Sequence, residues 1–83
     1  MKVEVRYFAS VREALGAGEQ VDLTEGADVA ALRDALVARG GRHAEALARP
    51  RLLRSARNRV LCDETARLAE GDEIAFFPPV TGG

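Results

Sequence analysis

From Met1 to Phe8 the chain alternates, with Val3, Val5 and Tyr7 apolar and Lys2, Glu4 and Arg6 charged between them. Successive side chains on a strand point to opposite faces, so this pattern predicts a strand with one buried face. Ser10-Val11-Arg12-Glu13 fits a capping box and predicts a short helix reaching Leu15, stopped by Gly16 and Gly18. Gln20 to Leu23, with Val21 and Leu23 on one side, reads as a second strand beside the first. Asp28 is the expected N-cap of the main helix, in which Val29, Leu32 and Leu36 recur at i, i+3 and i+7 while Arg33, Asp34 and Arg39 take other faces. Gly40-Gly41 ends it, and a weaker helical stretch from His43 to Arg49 stops at Pro50.

Leu52 to Asp63 reads as extended chain bent near Asn58-Arg59, and Glu73 to Phe77 as a closing strand after the turn Glu70-Gly71-Asp72. Pro78-Pro79 ends that strand because proline cannot donate to a ladder. Helices set on one face of a mixed sheet make this an α+β domain. The alternation also assigns faces. If Val3, Val5, Tyr7, Ile74, Phe76, Val60 and Cys62 point to the helix, then Phe8, Leu61 and Phe77 share the opposite face. Three large apolar side chains there predict a protein interface, where a surface would otherwise be polar.

Composition narrows the function. The 83 residues make one small domain with a net charge of −1, which gives no global electrostatic case for nucleic acid or membrane. The segment from Arg42 to Arg59 carries six arginines against the single acid Glu45, an excess of five positive charges that leaves −6 for the remainder. No aromatic residue interleaves them, as single-strand binding requires. Cys62 is the only cysteine and His43 the only histidine, so neither a disulfide within the chain nor a zinc cluster can form. With no catalytic triad and no phosphate-binding glycine loop, an independent enzyme is not expected; Gly16-Ala17-Gly18 is too short for such a loop. The absence of a long apolar run or a signal-peptide pattern makes a cytoplasmic protein the simplest expectation.

The most informative stretch is the last, Phe76-Phe77-Pro78-Pro79-Val80-Thr81-Gly82-Gly83. A paired glycine terminus arises by chance in about one chain in 200, few enough to carry information. Glycine lacks a Cβ, so a Gly-Gly end is the thinnest peptide that can enter a narrow active site and present its carboxylate there.

The run Gly71-Asp72-Glu73-Ile74-Ala75-Phe76-Phe77-Pro78-Pro79-Val80-Thr81-Gly82-Gly83, with the opening Tyr7-Phe8-Ala9-Ser10-Val11-Arg12-Glu13, resembles the small, sulfur-carrying subunits of molybdopterin synthase, a MoaD/ThiS-like family. That resemblance extends in spacing over essentially the whole chain. It implies a β-grasp, ubiquitin-like body over residues 1–77, with the first and last strands parallel at the sheet centre, and a flexible tail over 78–83. By the same resemblance, Gly83 is the residue activated and loaded with sulfur, Gly82 its slender neighbour, and Pro78, Pro79, Val80 and Thr81 the arm. Six extended residues reach about 20 Å. Phe8, Leu61 and Phe77 match positions that contact the large subunit, with Arg12 close by. The implied partners are that large subunit, in a heterotetramer of two large and two small chains, an E1-like adenylyltransferase that consumes ATP, and a sulfur donor protein; no cofactor is bound permanently. A sulfur carrier for thiazole synthesis, a ubiquitin-like protein modifier and a plain interaction domain are the alternatives. One departure from the family pattern is Ser55-Ala56-Arg57-Asn58, which replaces a more apolar stretch.

Overall fold

A computed structural model describes residues 1–79, so the expectations placed on Val80, Thr81, Gly82 and Gly83 lie outside the described residues. Strand β1 (Lys2–Tyr7) runs into helix α1 (Ala9–Leu15), then β2 (Gly18–Asp22), α2 (Val29–Val37), α3 (Gly41–Leu47), β3 (Arg54–Arg57), β4 (Val60–Cys62) and β5 (Glu73–Phe77). The five strands form one sheet in the order β2-β1-β5-β3-β4. β1 and β5 pair in parallel at the centre, with Val5 opposite Ile74 and Tyr7 opposite Phe76, and the other three pairings are antiparallel. This is the mixed α+β arrangement, with central parallel strands, that the resemblance implies.

Alternation decides what is buried. Val3, Val5 and Tyr7 of β1 and Ile74 and Phe76 of β5 meet Val11 of α1, Val29, Leu32 and Leu36 of α2 and Leu47 of α3 in one core. A fully buried side chain of this kind contributes about 1.5–3 kcal/mol, so this layer holds the open face of the sheet in place. Asp28 caps α2 as expected, its Oδ1 accepting from the Ala31 amide at 2.8 Å.

The start of α1 differs from the capping-box expectation. The helix begins at Ala9, with Phe8 in extended conformation as the cap residue and no side-chain cap bond. Ser10 therefore lies within the first turn. The sheet sets this junction, because the Phe8 amide donates to the Phe76 carbonyl at 3.2 Å while the Phe8 carbonyl accepts from Val11 and Arg12. A backbone anchored on both sides leaves no cap position for Ser10.

Arg33 is a second departure, buried to 4% exposure on the core side of α2 instead of on another face. Its Nε donates to Leu47 O at 2.7 Å, its Nη2 to Ala48 O and Arg51 O at 2.8 Å each, and its Nη1 to Glu64 Oε2 at 2.8 Å. The last carbonyls of a helix have no partner within it, and a guanidinium is suited to satisfy several at once. Arg33 thereby ties the end of α3 and the approach to β3 onto α2. Burial opposes charge on Glu64, but hydrogen bonds from Arg49 and Arg33 hold its carboxyl below the usual range. Replacing Arg33 with Met keeps volume but strands three carbonyls and a carboxylate, and is expected to cost about 3 kcal/mol. On a domain of this size that is a fall of ~12–24 °C in melting temperature. Exposed Arg49, which also pairs with Glu64 and Asp34, is expected to cost less than about 1 kcal/mol when changed to Ala. Equal melting temperatures for the two variants contradict this account of Arg33.

Polar groups also close the other end of the helical layer. Glu19 of β2 accepts from Tyr7 Oη at 2.7 Å, meets His43 Nε2 at 2.8 Å and pairs with Arg39. Burial works against its charge, but the bonds from His43, Tyr7 and Arg39 outweigh it and hold the Glu19 pKa at about 2. His43 is thus a half-buried structural residue with its ring engaged. Gly18, one residue earlier, allows close approach of β2 to β1, since a Cβ there would stand 2.3 Å from the Val5 carbonyl oxygen.

Candidate functional site

The register puts Phe8, Leu61 and Phe77 on the sheet face opposite the helices, as the alternation requires. Val5 and Ile74 are core, so Arg6 and Ala75, paired with each other, point away from it; Ala75 pairs onward to Ala56, and Ala56 to Leu61. One step toward the chain end, Phe77 pairs with Arg54, with Phe8 following Tyr7 beside it. Phe8 is 45% and Leu61 61% exposed, and Phe77 is half-buried. The small side chains of Ala75 and Ala56 lower the floor between the larger ones. Phe8, Ala75, Phe77 and Pro78 with Arg6, Arg59 and Glu73 line an open concavity of about 560 Å³. Leu61 lines a neighbouring depression with Leu52 and Pro79.

The two prolines are half-buried and border these depressions, so the described chain leaves the sheet between the two apolar hollows. Arg12 is exposed on α1, one residue beyond the core residue Val11, and lines neither hollow.

Val60, expected inside, is 70% exposed. It lies on the helix side, opposite Arg57 and hence in line with Ile74, but β4 is a three-residue edge strand that the helices do not cover. Cys62, expected to be buried, is half-buried, with its sulfur 3.8 Å from Ser55 Oγ. Ser55 itself is buried, its hydroxyl donating to the Cys62 carbonyl at 3.2 Å, which is how this polar stretch supplies a third strand.

Much of the arginine-rich segment is engaged within the domain. Arg51 Nε donates to Glu45 O at 3.0 Å, Arg57 Nη1 to Arg67 O at 2.6 Å, and Arg59 Nε lies 3.6 Å from Glu73 Oε1. Arg54 and Arg42 are exposed and have no ion pair among the described residues. Among the described residues no helix is long and apolar enough to cross a membrane.

Comparison with known proteins agrees with this geometry. The ThiS family matches residues 5–83. The molybdopterin synthase sulfur carrier subunit of Escherichia coli is 42% identical over 81 residues, which cover 98% of this chain and 99% of that protein. A solved complex of subunits 1 and 2 of the molybdopterin-converting factor from Helicobacter pylori contains a chain with TM-score 0.71 and 31% identity, covering all of both chains. The small archaeal modifier protein 1 of Haloferax volcanii has TM-score 0.78 and 30% identity over 95% of this chain and 98% of that one. The β-grasp body, the apolar open face and the full-length similarity together show that the chain belongs to the ThiS family, among the sulfur carrier subunits of molybdopterin synthase.

Proposed function

We propose that the Gly83 carboxylate is the working group of this carrier and that the Phe8–Phe77–Leu61 face delivers it to the synthase large subunit. A carboxylate is a poor acyl donor. Attack of its oxygen on the α-phosphate of ATP, catalysed by an E1-like adenylyltransferase, expels pyrophosphate and leaves an acyl-adenylate. Sulfide-level sulfur, released by a donor protein as hydrosulfide, then attacks the acyl carbon and expels AMP, giving a thiocarboxylate on Gly83. Within the large subunit that sulfur attacks a side-chain carbon of cyclic pyranopterin monophosphate and displaces the oxygen which that carbon carries, so that a new carbon–sulfur bond joins the pterin to the Gly83 acyl group. Cleavage of the acyl–sulfur bond by water leaves the sulfur on the pterin and restores the carboxylate. A dithiolene needs two sulfurs and therefore two loaded carriers. Catalysis belongs to the partners, and this chain supplies a reagent and a docking surface.

The observation that carries this reading is the apolar face beside the point where the chain leaves the sheet, with Phe8 and Phe77 around one hollow and Pro78 at its edge. Support for the molybdenum-cofactor branch over thiazole synthesis comes from the curated relatives. Titration of the chain into its large subunit tests the docking step. Saturable binding of one chain per large subunit is the expected result, and absence of a complex contradicts it. A second reading, conjugation of activated Gly83 to a lysine amine, is favoured by the likeness to the archaeal modifier protein. Both share the adenylate and differ in the nucleophile that takes it.

A further inference from the structure

The β3–β4 hairpin turns on Asn58 and Arg59, and both have positive φ, 50° and 69°. Such a turn matches the twist of the strands but needs the left-handed conformation at both central positions. Asn58 is held there on three sides. Its amide donates to Glu73 O at 2.7 Å, its side-chain nitrogen to Asp72 Oδ1 at 3.0 Å, and its side-chain oxygen accepts from the Glu73 amide at 3.0 Å. At position 59 glycine adopts this conformation freely, whereas arginine is held against its preference.

Packing gives no reason for that choice, since the Arg59 side chain is 87% exposed. It stands at the rim of the hollow lined by Phe8, Ala75 and Phe77. Its Nε lies 3.6 Å from one oxygen of Glu73, and Arg6 Nε lies 3.6 Å from the other. One carboxylate shared by two guanidiniums leaves a positive charge over. Across the apolar ground, Arg54 pairs with Phe77 in the ladder and is exposed, with no ion pair among the described residues. The docking face therefore has arginine on two sides of its apolar centre.

We propose that Arg59 is a specificity-determining contact, and that the large subunit of this carrier presents an apolar ridge flanked by carboxylates that pair with Arg59 and, on the far side, with Arg54. This inference rests on the reading that the large subunit docks here. A guanidinium at the rim steers an acidic partner during encounter and disfavours one with a basic rim. Docking also removes water from around these groups and strengthens their pairing.

Binding and melting of Arg59 variants test this together. Arg59→Gly removes the left-handed constraint, so its melting temperature is expected to equal that of the parent or exceed it by up to about 4 °C. Its affinity for the large subunit is expected to fall about three- to tenfold at ~0.05 M salt, mainly through slower association, and to approach the parent's at ~0.5 M. Arg59→Glu should lose more, and Arg59→Lys should keep most of the parent affinity. Equal affinities of the parent, Arg59→Gly and Arg59→Glu at low salt overturn the inference while leaving docking intact. A lower melting temperature for Arg59→Gly with unchanged salt dependence also overturns it, by making Arg59 structural. If the parent itself forms no complex, the docking reading falls and this inference falls with it.

Discussion

Removing Gly82 and Gly83 is expected to abolish sulfur transfer, by more than about a thousandfold, while the melting temperature moves by less than ~2 °C. The two halves of that result have separate causes. Among the described residues the buried apolar core lies between Val3 and Phe76 and the last ladder pairing is made by Phe77, and two glycines, having no side chain, add no apolar burial to that core. Chemistry depends on it because the shortened chain ends about 7 Å sooner. A misplacement of about 1 Å already costs on the order of a hundredfold where a reacting group must be positioned. The variant should still bind the large subunit through its open face. Retained transfer, or a fall of about 8 °C or more, contradicts the division between body and reagent.

The second large effect is on docking. Phe77→Asp is expected to weaken the complex with the large subunit by about 3 kcal/mol, ~100-fold or more in Kd, because it buries an unpaired carboxylate at an apolar interface. Melting should change little, since Phe77 ends β5 on the face away from the helices. The adjacent Phe76→Asp makes the contrast. Phe76 is buried opposite Tyr7 and Ser55, so a charge there should prevent stable folding. A register slipped by one residue exchanges the two outcomes. Calorimetric titration of Phe77→Asp with parent-like affinity would place the interface elsewhere.

That contrast was legible in the sequence because a strand has a period of two and each pairing is an integer step. Once Val5 and Ile74 are core, Phe8 and Phe77 are fixed to the other face, and Leu61 follows from setting its neighbours Val60 and Cys62 on the helix side; the structure has all three there. Asp28 and the bend at Asn58-Arg59 were equally readable, since each depends on local backbone chemistry. Contacts made by long polar side chains across the chain were not. Arg33 follows Val29 at i+4 and so shares its face, yet hydrophobic periodicity alone treats a guanidinium as polar and puts it on another face. The available signal was the need of α3, just before Pro50, for donors to its last carbonyls. Tyr7, Glu19, Arg39 and His43 come from four separate segments, and no local spacing announces that they meet. Ser10 shows the converse, a local motif overridden when the sheet anchors Phe8 first. Edge position explains Val60, whose face was right and whose burial was not.

The central claim concerns one group of atoms, and mass reports on it directly. The intact chain should be isolated from its native host while that host is making the cofactor, and the C-terminal peptide fragmented to locate any change. A species heavier by about 16 Da, with sulfur in place of oxygen at Gly83, is the expected result. A terminus found only as the plain carboxylate under those conditions contradicts the account.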